Sequence, residues 1–448
     1  MKKFLIILQA LTLVLCFTTI YATADDNEKP VGTPIYTADD FNKLYESSES
    51  FYLANDIDLS KATCYIGEFS GTLDGNGYCI RNMNQPALIQ SAEDATIKNL
   101  KLVDIKGEVY TPIVSNAQNC VFQDISVSGE ITIDYKTNED NGEILVGGIA
   151  GVAMGCTFTN CKTDLDMNIY SQAGVDIYGI AKCWRENGAT GKTSKLKNCY
   201  TNGDITVEVN NIARTQVVDV IGLCGGGHDN ADVVSCGNTG NINVTCNGKA
   251  YDWIVVSGLT ESASSVSKCY NTGDISVNGK LNTINVQVAG ISCSATNSVK
   301  ESYNTGDINV NSQCKTCVTI AGISSFAEKG VFNSYNIGNI KFVGVAASDS
   351  SAAGIMTQGG AVKNCYSIGS IKNKSKKIEK FVLGPYPDNS SKGNYYIKGK
   401  PFASGSYTAK NAKKVNKITA KNCSKLSSKY WAYSKTKGRM ILKNNKEK

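Results

Sequence analysis

Two aspartates, Asp274 and Asp307, hold the same position in consecutive copies of a repeated phrase, where paired carboxylates could serve as acid and base or hold a cation. The same position is Asp204 in an earlier copy and Asn241 or Asn339 in others. An Asp or Asn after Gly commonly caps the backbone donors of its own turn. Because an active site should occur once, the repetition favours this structural role. Asp274 and Asp307 remain candidates for a cation site only, and we predict no bound metal and no other cofactor.

The single histidine, His228, lies in the glycine-rich segment 225–230 and is followed by Asp229. A loop with these two side chains could form a ligand-binding site, so both are retained as candidates. The alternative is an ordinary surface loop. The sequence favours the surface loop, because the aspartates that accompany such a Gly-His loop in pectin-degrading enzymes are missing.

Five tyrosines share one repeat position and form a predicted ladder. If the ladder faces outward, it could make an aromatic platform for sugars; if it faces inward, the rings serve packing. The sequence does not fix the facing, so the tyrosines are both ligand-binding candidates and core candidates. They are Tyr200, Tyr270, Tyr303, Tyr335 and Tyr366.

Cysteine is abundant, with 17 in the chain, and several cysteines share the position just before the ladder tyrosine. Serine replaces cysteine at Ser302 and Ser334, which indicates a small slot rather than thiol chemistry. Stacked Cα atoms about 4.8 Å apart fall within disulfide range, so disulfides between repeats and buried thiols both remain open. Cys314 and Cys317 have the spacing of a redox or metal pair, but no second pair lies nearby.

These side chains are positioned by two phrases that recur in step. The first contains a glycine that recurs every 31 to 37 residues, from Gly203 to Gly369. The second places Gly258, Gly290 and Gly322 at intervals of 32 residues. Each repeat carries about three short β-type runs, such as 319–324, 331–335 and 339–343, separated by turn residues. A fixed period of this length predicts an all-β parallel β-helix of about 8–10 coils.

The predicted organisation has four parts. Residues 1–24 read as a signal peptide, with Lys2 and Lys3 before an apolar stretch. Residues 25–110 form a linker, an N-terminal helical cap over 37–47 and the first irregular coils. Residues 111–373 form the repeat β-helix, and no proline falls between Pro112 and Pro385, as an uninterrupted sheet requires. Residues 374–448 form a small basic C-terminal cap or tail.

The charge is divided unevenly along the chain. Residues 372–448 contain 21 Lys and Arg but 3 Asp and Glu, which leaves a net charge of −12 for the rest of a chain whose total is +6. The basic end could contact an anionic wall polymer or a membrane surface, or it could be a solvated lysine-rich cap. We predict no nucleic-acid partner.

The repeats resemble those of bacterial surface proteins built from GLUG-type repeats. The Gly-Leu-apolar-Gly core of that family is matched at 222–225 and closely at 148–151. The opening phrases at 55–59 and 71–77 and the closing segment 431–442 are also similar. The resemblance implies a right-handed β-helix at the cell surface, often adhesin-like, and it brings no catalytic residues.

Three functions follow as hypotheses. The first is a secreted or cell-surface module that binds a glycan or a protein of a host or neighbouring cell. The second is a polysaccharide lyase or hydrolase with a carboxylate site in the 180–230 insertion, and the third is a structural spacer. A long exposed Tyr or Asn face would favour the first. An isolated, non-repeating acidic pair near His228 would favour the second.

Overall fold

The structure is a computed structural model. It describes residues 30–447 except 65, 137–142, 185–190, 211–216, 227–230, 248–250, 347–348, 376, 385–389 and 403–409. This part of the chain is nearly all β, with 47 strands and one short helix. Almost every pairing is parallel and joins equivalent positions of successive repeats, so the architecture is a solenoid-like stack of four strand columns, as the repeat predicts.

Column one lies on the first of two long parallel sheets. Its strands are Ile66–Phe69, Ile89–Glu93, Val114–Gln118, Ala150–Met154, Ala181–Trp184, Cys224–Gly225, Thr260–Ala263, Ser292–Ala295, Ser324–Phe332 and Met356–Lys363.

Column two continues the same sheet. The last two strands of column one are long enough to run through both columns, so they also form the end of column two. Its other strands are Thr33–Ile35, Ser50–Leu53, Thr72–Asp74, Thr96–Lys98, Val121–Gln123, Thr157–Thr159, Ser194–Lys197, Ala231–Val234, Ser265–Ser267 and Ser298–Lys300.

Column three belongs to the second sheet and is interrupted by a turn from Tyr200 onward. Its strands are Ile57–Asp58, Cys79–Arg81, Lys101–Gly107, Ser126–Tyr135, Lys162–Ser171, Tyr200–Thr201, Ile205–Val209, Gly237–Asn238, Ile242–Cys246, Tyr270–Asn271, Ile275–Ala289, Tyr303–Asn304, Ile308–Ala321, Tyr335–Asn336, Ile340–Val345, Tyr366–Ser367, Ile371–Asn373, Asn394–Tyr396 and Ala412–Lys414.

Column four completes the second sheet, and the long strands Ile275–Ala289 and Ile308–Ala321 run through columns three and four. Its own strands are Glu143–Gly147, Gly174–Tyr178, Val217–Ile221, Tyr251–Ser257, Ser351–Ala353 and Glu379–Phe381. Outside the columns, Trp431–Ser434 and Arg439–Leu442 form an antiparallel hairpin.

The main core lies inside the stack and consists of ladders of identical or similar apolar residues. Ile275 pairs with Ile308, and Ile308 pairs with Ile340, with all three at most 1% exposed. Alternate residues of a strand point to opposite sides, so the neighbours of these isoleucines face outward. Burial of one such ladder on each column supplies the hydrophobic stabilisation that holds the coils in register.

The recurring glycines of the second phrase lie at the corner between columns four and one. A Cβ atom at Gly290 would lie 2.2 Å from the carbonyl oxygen of Gly322 and 2.6 Å from the side chain of Asn304. Asn304 belongs to a buried asparagine ladder, in which its Nδ2 donates to Asn336 Oδ1 at 2.8 Å and to the Gly306 carbonyl at 2.8 Å. The glycine period is therefore required by the close approach of the coils and of this ladder.

The parallel array is longer than the sequence predicts. Column two contains twelve strands, against the expected 8–10 coils, and it begins at Thr33–Ile35. The early coils are shorter than the later repeats, since Leu73 pairs with Ile97 only 24 residues on. Pairing also continues past residue 373, to Asn394–Tyr396 and Ala412–Lys414.

The expected N-terminal helix is present but short. It is a 3-10 helix over Ala38–Leu44, within the predicted 37–47, and Thr37 and Asp40 form the predicted capping box. Phe41 and Leu44 are fully buried and anchor it to the first strands.

Candidate functional site

The ladder tyrosines stack on one another along column three. Ring centroids are 5.5 Å apart for Tyr270 and Tyr303, 5.2 Å for Tyr303 and Tyr335, and 5.0 Å for Tyr335 and Tyr366. Tyr303, Tyr335 and Tyr366 are fully buried, whereas Tyr200 at the start of the ladder is partly exposed.

The C-terminal segment covers this ladder. The indole of Trp431 packs 5.5 Å from the Tyr366 ring, and the Tyr366 hydroxyl donates to the Met440 carbonyl at 2.6 Å. Further along, Asn445 Nδ2 donates to the carbonyls of Cys269 and Glu301, each at 2.9 Å. The burial agrees with the packing alternative for the tyrosines. A ligand-binding role of the ladder stays a prediction, and only Tyr200 among the five keeps a partly exposed ring.

The aspartates after the repeat glycine form a hydrogen-bonded ladder of their own. Asp274 Oδ1 accepts from the backbone N–H of Asp307 at 2.7 Å, and Asp307 Oδ1 accepts from the backbone N–H of Asn339 at 2.7 Å. These side chains therefore bond the next coil, where the sequence predicted a cap on their own turn. In the described chain, no group of three or more His, Cys, Asp or Glu side chains is arranged to hold a metal ion.

The histidine loop and the cysteines were the other candidates from the sequence. His228 and Asp229 lie outside the described residues. All sixteen cysteines of the described ranges are free thiols in the structure. Cys314 Sγ contacts the carbonyl oxygen of Cys317 at 3.0 Å rather than its sulfur.

A different cluster occurs once in the stack, on the outer side of the corner between columns four and one. We call it the acidic groove and define it by Asp176, Tyr178, Lys182, Asp219 and Glu261. Tyr178 also belongs to a small apolar cluster separate from the main core, in which residues of column four meet Cys293 of column one. Outward-facing side chains of the two columns thus contact each other across this corner.

Strand alternation positions the two aspartates. Val175 and Ile177 point into the main core, so Asp176 between them points outward into the groove. Asp219 pairs directly with Asp176 on the next strand, and the two residues are 8% and 3% exposed. In the neighbouring coils this position holds Leu145, Val255, Gln287, Thr319 and Ser351, so the acidic pair does not repeat.

The polar contacts leave one carboxylate oxygen without a partner. Lys182 Nζ forms an ion pair with Asp176 Oδ2, and the Tyr178 hydroxyl donates to Glu261 Oε2 at 3.1 Å. Gly225 lies between Lys182 and Glu261 in column one, where a Cβ atom would meet the Glu261 Cβ at 2.6 Å. Asp219 Oδ1 has no hydrogen-bond partner within the described residues, although it is buried.

Burial and like charges change the protonation of this cluster. Burial first, and then the charges of Glu261 and Asp176, raise the pKa of Asp219 well above its ordinary value. Burial raises the pKa of Glu261 to about 7, with a further contribution from Asp176. Burial lowers the pKa of Lys182, but the attraction of Asp176 outweighs it and the net shift is upward. The groove therefore holds the Lys182–Asp176 ion pair beside Asp219, whose pKa is raised, and Glu261, whose carboxyl group can donate or accept a proton near neutral pH.

Two of the three tryptophans of the chain flank the groove. Trp184 follows Lys182 on the outward face of column one, and Lys182 Nζ lies 5.5 Å from its ring. Trp253 precedes Val255 on the outward face of column four and pairs with Val217, two residues before Asp219. Each tryptophan is 46% exposed, which is unusual for the largest apolar side chain. The groove thus presents aromatic rings on both walls and carboxyl groups at its base.

A second polar surface lies on the outer face of column three. Ser276, Asn278, Asn309, Asn311 and Lys341 line an open depression of about 270 Å³ there. An exposed asparagine face is one of the features that would favour the first functional hypothesis. It repeats from coil to coil and contains no aromatic ring among its lining residues.

The groove was not predicted from the sequence, although the sequence contains a signal for it. Asp176 lies in the run Val-Asp-Ile-Tyr before Gly179, and Asp219 lies in Val-Asp-Val-Ile before Gly222. Acidic residues inside two consecutive apolar runs, at the same distance before the repeat glycine, indicate neighbouring outward positions once the period is known.

No protein-family model, no curated protein and no solved structure matches this chain. Within the described ranges, the structure contains no helix with the length and apolar character that a membrane span requires.

Proposed function

We propose that the protein is a secreted or cell-surface solenoid that binds a glycan in the acidic groove. The observation that carries this function is the position of Trp184 and Trp253, both half-exposed, on the two walls of a cluster of buried carboxyl groups that occurs once in the stack.

The chemistry of the groove fits a sugar chain. Sugar rings have apolar faces that pack on aromatic rings and hydroxyl groups that hydrogen-bond with carboxylates. The two tryptophans supply exposed aromatic surface, and Asp219 Oδ1 supplies a buried acceptor that no described protein group uses. Binding sites of this kind combine apolar walls with a few converging polar groups.

The finer features of the fold are part of the proposal. A right-handed coil is supported by the parallel pairing of successive strands, because about 98% of parallel crossover connections are right-handed. The helix Ala38–Leu44 is proposed as the N-terminal cover and the segment 410–447 as the C-terminal cap, supported by their buried contacts with the stack. Membership among GLUG-type repeat proteins rests on the sequence phrases at 148–151 and 222–225.

Export and attachment complete the proposal. The apolar N-terminal segment with a small-residue site at 22–24 supports secretion, and the lysine-rich end supports contact with an anionic wall polymer or membrane surface. A glycan or a surface protein of a host or neighbouring cell is the proposed partner.

The test is binding of the protein without its predicted leader to an array of bacterial and host glycans at physiological salt. Retention of a defined glycan set by the native protein, with loss of the same set in Trp184→Ala, supports the proposal. Absence of binding, or binding only to anionic polymers that disappears as salt rises, would leave the charged C-terminal region as a simple anchor.

A polysaccharide-cleaving enzyme is the second candidate, and the isolated pair Asp176 and Asp219 favours it. A protonated Asp219 beside an ionised carboxylate has the arrangement of an acid and a base. Incubation with the glycans retained on the array, followed by detection of new reducing ends or unsaturated products, tests it. Product formation that Asp219→Asn abolishes would establish an enzyme, and intact glycans would leave a binding module.

A further inference from the structure

The groove contains more carboxyl groups than cationic groups. Asp176, Asp219 and Glu261 are joined by Glu143 at the end of column four, whose pKa is raised by burial and by Asp176. The one cation that acts on these groups in the described chain is Lys182, and its ammonium group is already paired with Asp176. The binding site is therefore short of positive charge rather than short of acceptors.

The position of Asp219 shows where the deficit is largest. It is 8% exposed, its Oδ1 atom has no partner among the described residues, and it lies between Asp176 and the Glu261 side of the groove. Leaving a buried acceptor unpaired is unfavourable, and the cost is larger for a group that can carry charge. A positively charged hydrogen-bond donor would pair with Asp219 Oδ1 and would also supply the missing positive charge.

The flanking tryptophans suit the same kind of group. A cation within about 6 Å of an indole face is attracted by the ring. Lys182 already uses this interaction with the Trp184 ring at 5.5 Å. Trp253, on the opposite wall and 46% exposed, has no cation near its ring among the described contacts. A sugar with a protonated amine would place its ring against an indole and its ammonium group between the carboxylates.

We infer that the groove is specific for glycans with free amino groups, such as deacetylated amino-sugar chains, over their neutral N-acetylated counterparts. This inference rests on the proposed glycan-binding function and names its ligand class. Acetylation converts the ammonium group into a neutral acetamide, so it removes the feature that Asp219 and Glu261 would recognise. Metal binding does not account for the cluster, since the described carboxylates do not converge as a metal-ligand set.

The experiment compares two probes of equal length, a glucosamine hexamer and an N-acetylglucosamine hexamer, by calorimetric titration at physiological salt. The free-amine hexamer should bind at least about tenfold more tightly, the difference expected for one charge-assisted hydrogen bond. Asp219→Asn should reduce this preference while binding of the acetylated probe is retained. If Asp219→Asn does not fold, Glu261→Gln provides the same comparison.

The other outcomes distinguish failure of the amine specificity from failure of the glycan-binding proposal. Equal affinity for both probes, or preference for the acetylated hexamer, would overturn the amine specificity and leave the glycan-binding proposal intact. Absence of binding to either hexamer and to every glycan of the array would overturn the proposed function itself. An oligolysine peptide is the charge control: if it binds as tightly as the glucosamine hexamer, and Trp184→Ala changes neither, attraction of positive charge alone replaces the inference.

Discussion

Asp176 and Asp219 are direct partners on adjacent parallel strands, yet only Asp176 has a cation, because Lys182 Nζ bonds its Oδ2 atom. Asp219 Oδ1 is buried without a partner in the described part of the chain. Two carboxyl groups in one ladder thus have different environments: Asp176 has an ion-pair partner, whereas burial and like charges raise the pKa of Asp219. Because a buried carboxyl group without a partner lowers stability, the environment of Asp219 is not explained by stability alone.

Replacing Asp219 with Asn should stabilise the protein. At pH 8 the folded state must either protonate Asp219 or keep a buried charge beside Asp176 and Glu261, and Asn removes this cost. We expect a gain of about 1–3 kcal/mol in the free energy of unfolding. The melting temperature at pH 8, measured by calorimetry, should rise.

Asp176→Asn is the matched control for that substitution, since it leaves Lys182 without its ion-pair partner. It should lower the melting temperature, by the equivalent of about 2 kcal/mol. If Asp219→Asn and Asp176→Asn destabilise the protein equally, the unequal environments described above are wrong.

The stability of the protein should fall as pH rises from 5 to 8. The folded-state pKa of Glu261 is about 7, against an ordinary value of 4.5, and the pKa of Asp219 is also raised. The folded state therefore binds these protons more tightly than the unfolded state, and the stabilisation is lost as pH rises through the folded-state value. Melting temperatures at pH 5.5 and pH 8 test this.

Glu261→Gln should make that pH dependence weaker, because it removes a titrating group and keeps its shape. Carboxyl groups with a lowered pKa, such as Asp40 at about 2, act in the opposite direction but only in more acidic solution, so they do not affect this comparison. A melting temperature that increases between pH 5.5 and pH 8 would contradict the raised pKa values.

The asparagine ladder should be one of the most sensitive polar features of the fold. Asn304→Ala removes the bonds to Asn336 and to the Gly306 carbonyl and leaves the Asn271 amide without its acceptor. Because all these groups are buried, we expect a loss of about 3 kcal/mol. Asn309→Ala, on the exposed face of the same sheet, is the control and should change stability by less than about 0.5 kcal/mol. Denaturant unfolding of both variants provides the comparison.

The C-terminal segment should stabilise the tyrosine ladder. Trp431 is 1% exposed and packs on Tyr335 and Tyr366, so Trp431→Ala should cost about 3–5 kcal/mol. The variant should also become sensitive to proteolysis after residue 400 at protease concentrations that leave the native chain intact. Tyr433→Ala, in the same hairpin but 47% exposed, is the control. Equal proteolysis of the two variants would mean that the segment does not depend on the ladder.

The fold was predictable because its constraints repeat. The close approach of Gly290 to Gly322 and the ladder of Asn271 and Asn304 impose one residue type at one interval, and such a period is visible in a single sequence. The first coils were predicted only as irregular coils without a period, since Leu73 and Ile97 are only 24 residues apart and the phrase has not yet begun.

The candidate site was not predictable in the same way. The burial of the tyrosines depends on the segment around Trp431. This segment lies far along the chain and packs against the rings. Asp176 and Asp219 each interrupt an apolar run, and only the register of column four shows that they are neighbours. A site residue that departs from the repeat does not recur, so the period that predicts the fold does not predict the site.

The most direct test of the central claim is the affinity of the native protein, Trp184→Ala and Trp253→Ala for a glycan retained on the array, measured by calorimetry with Tyr433→Ala as the exposed-aromatic control. The account predicts that each tryptophan variant binds at least about tenfold more weakly, as expected for loss of an aromatic anchor, while Tyr433→Ala binds like the native protein. Native affinity in both tryptophan variants would contradict a glycan site in the acidic groove.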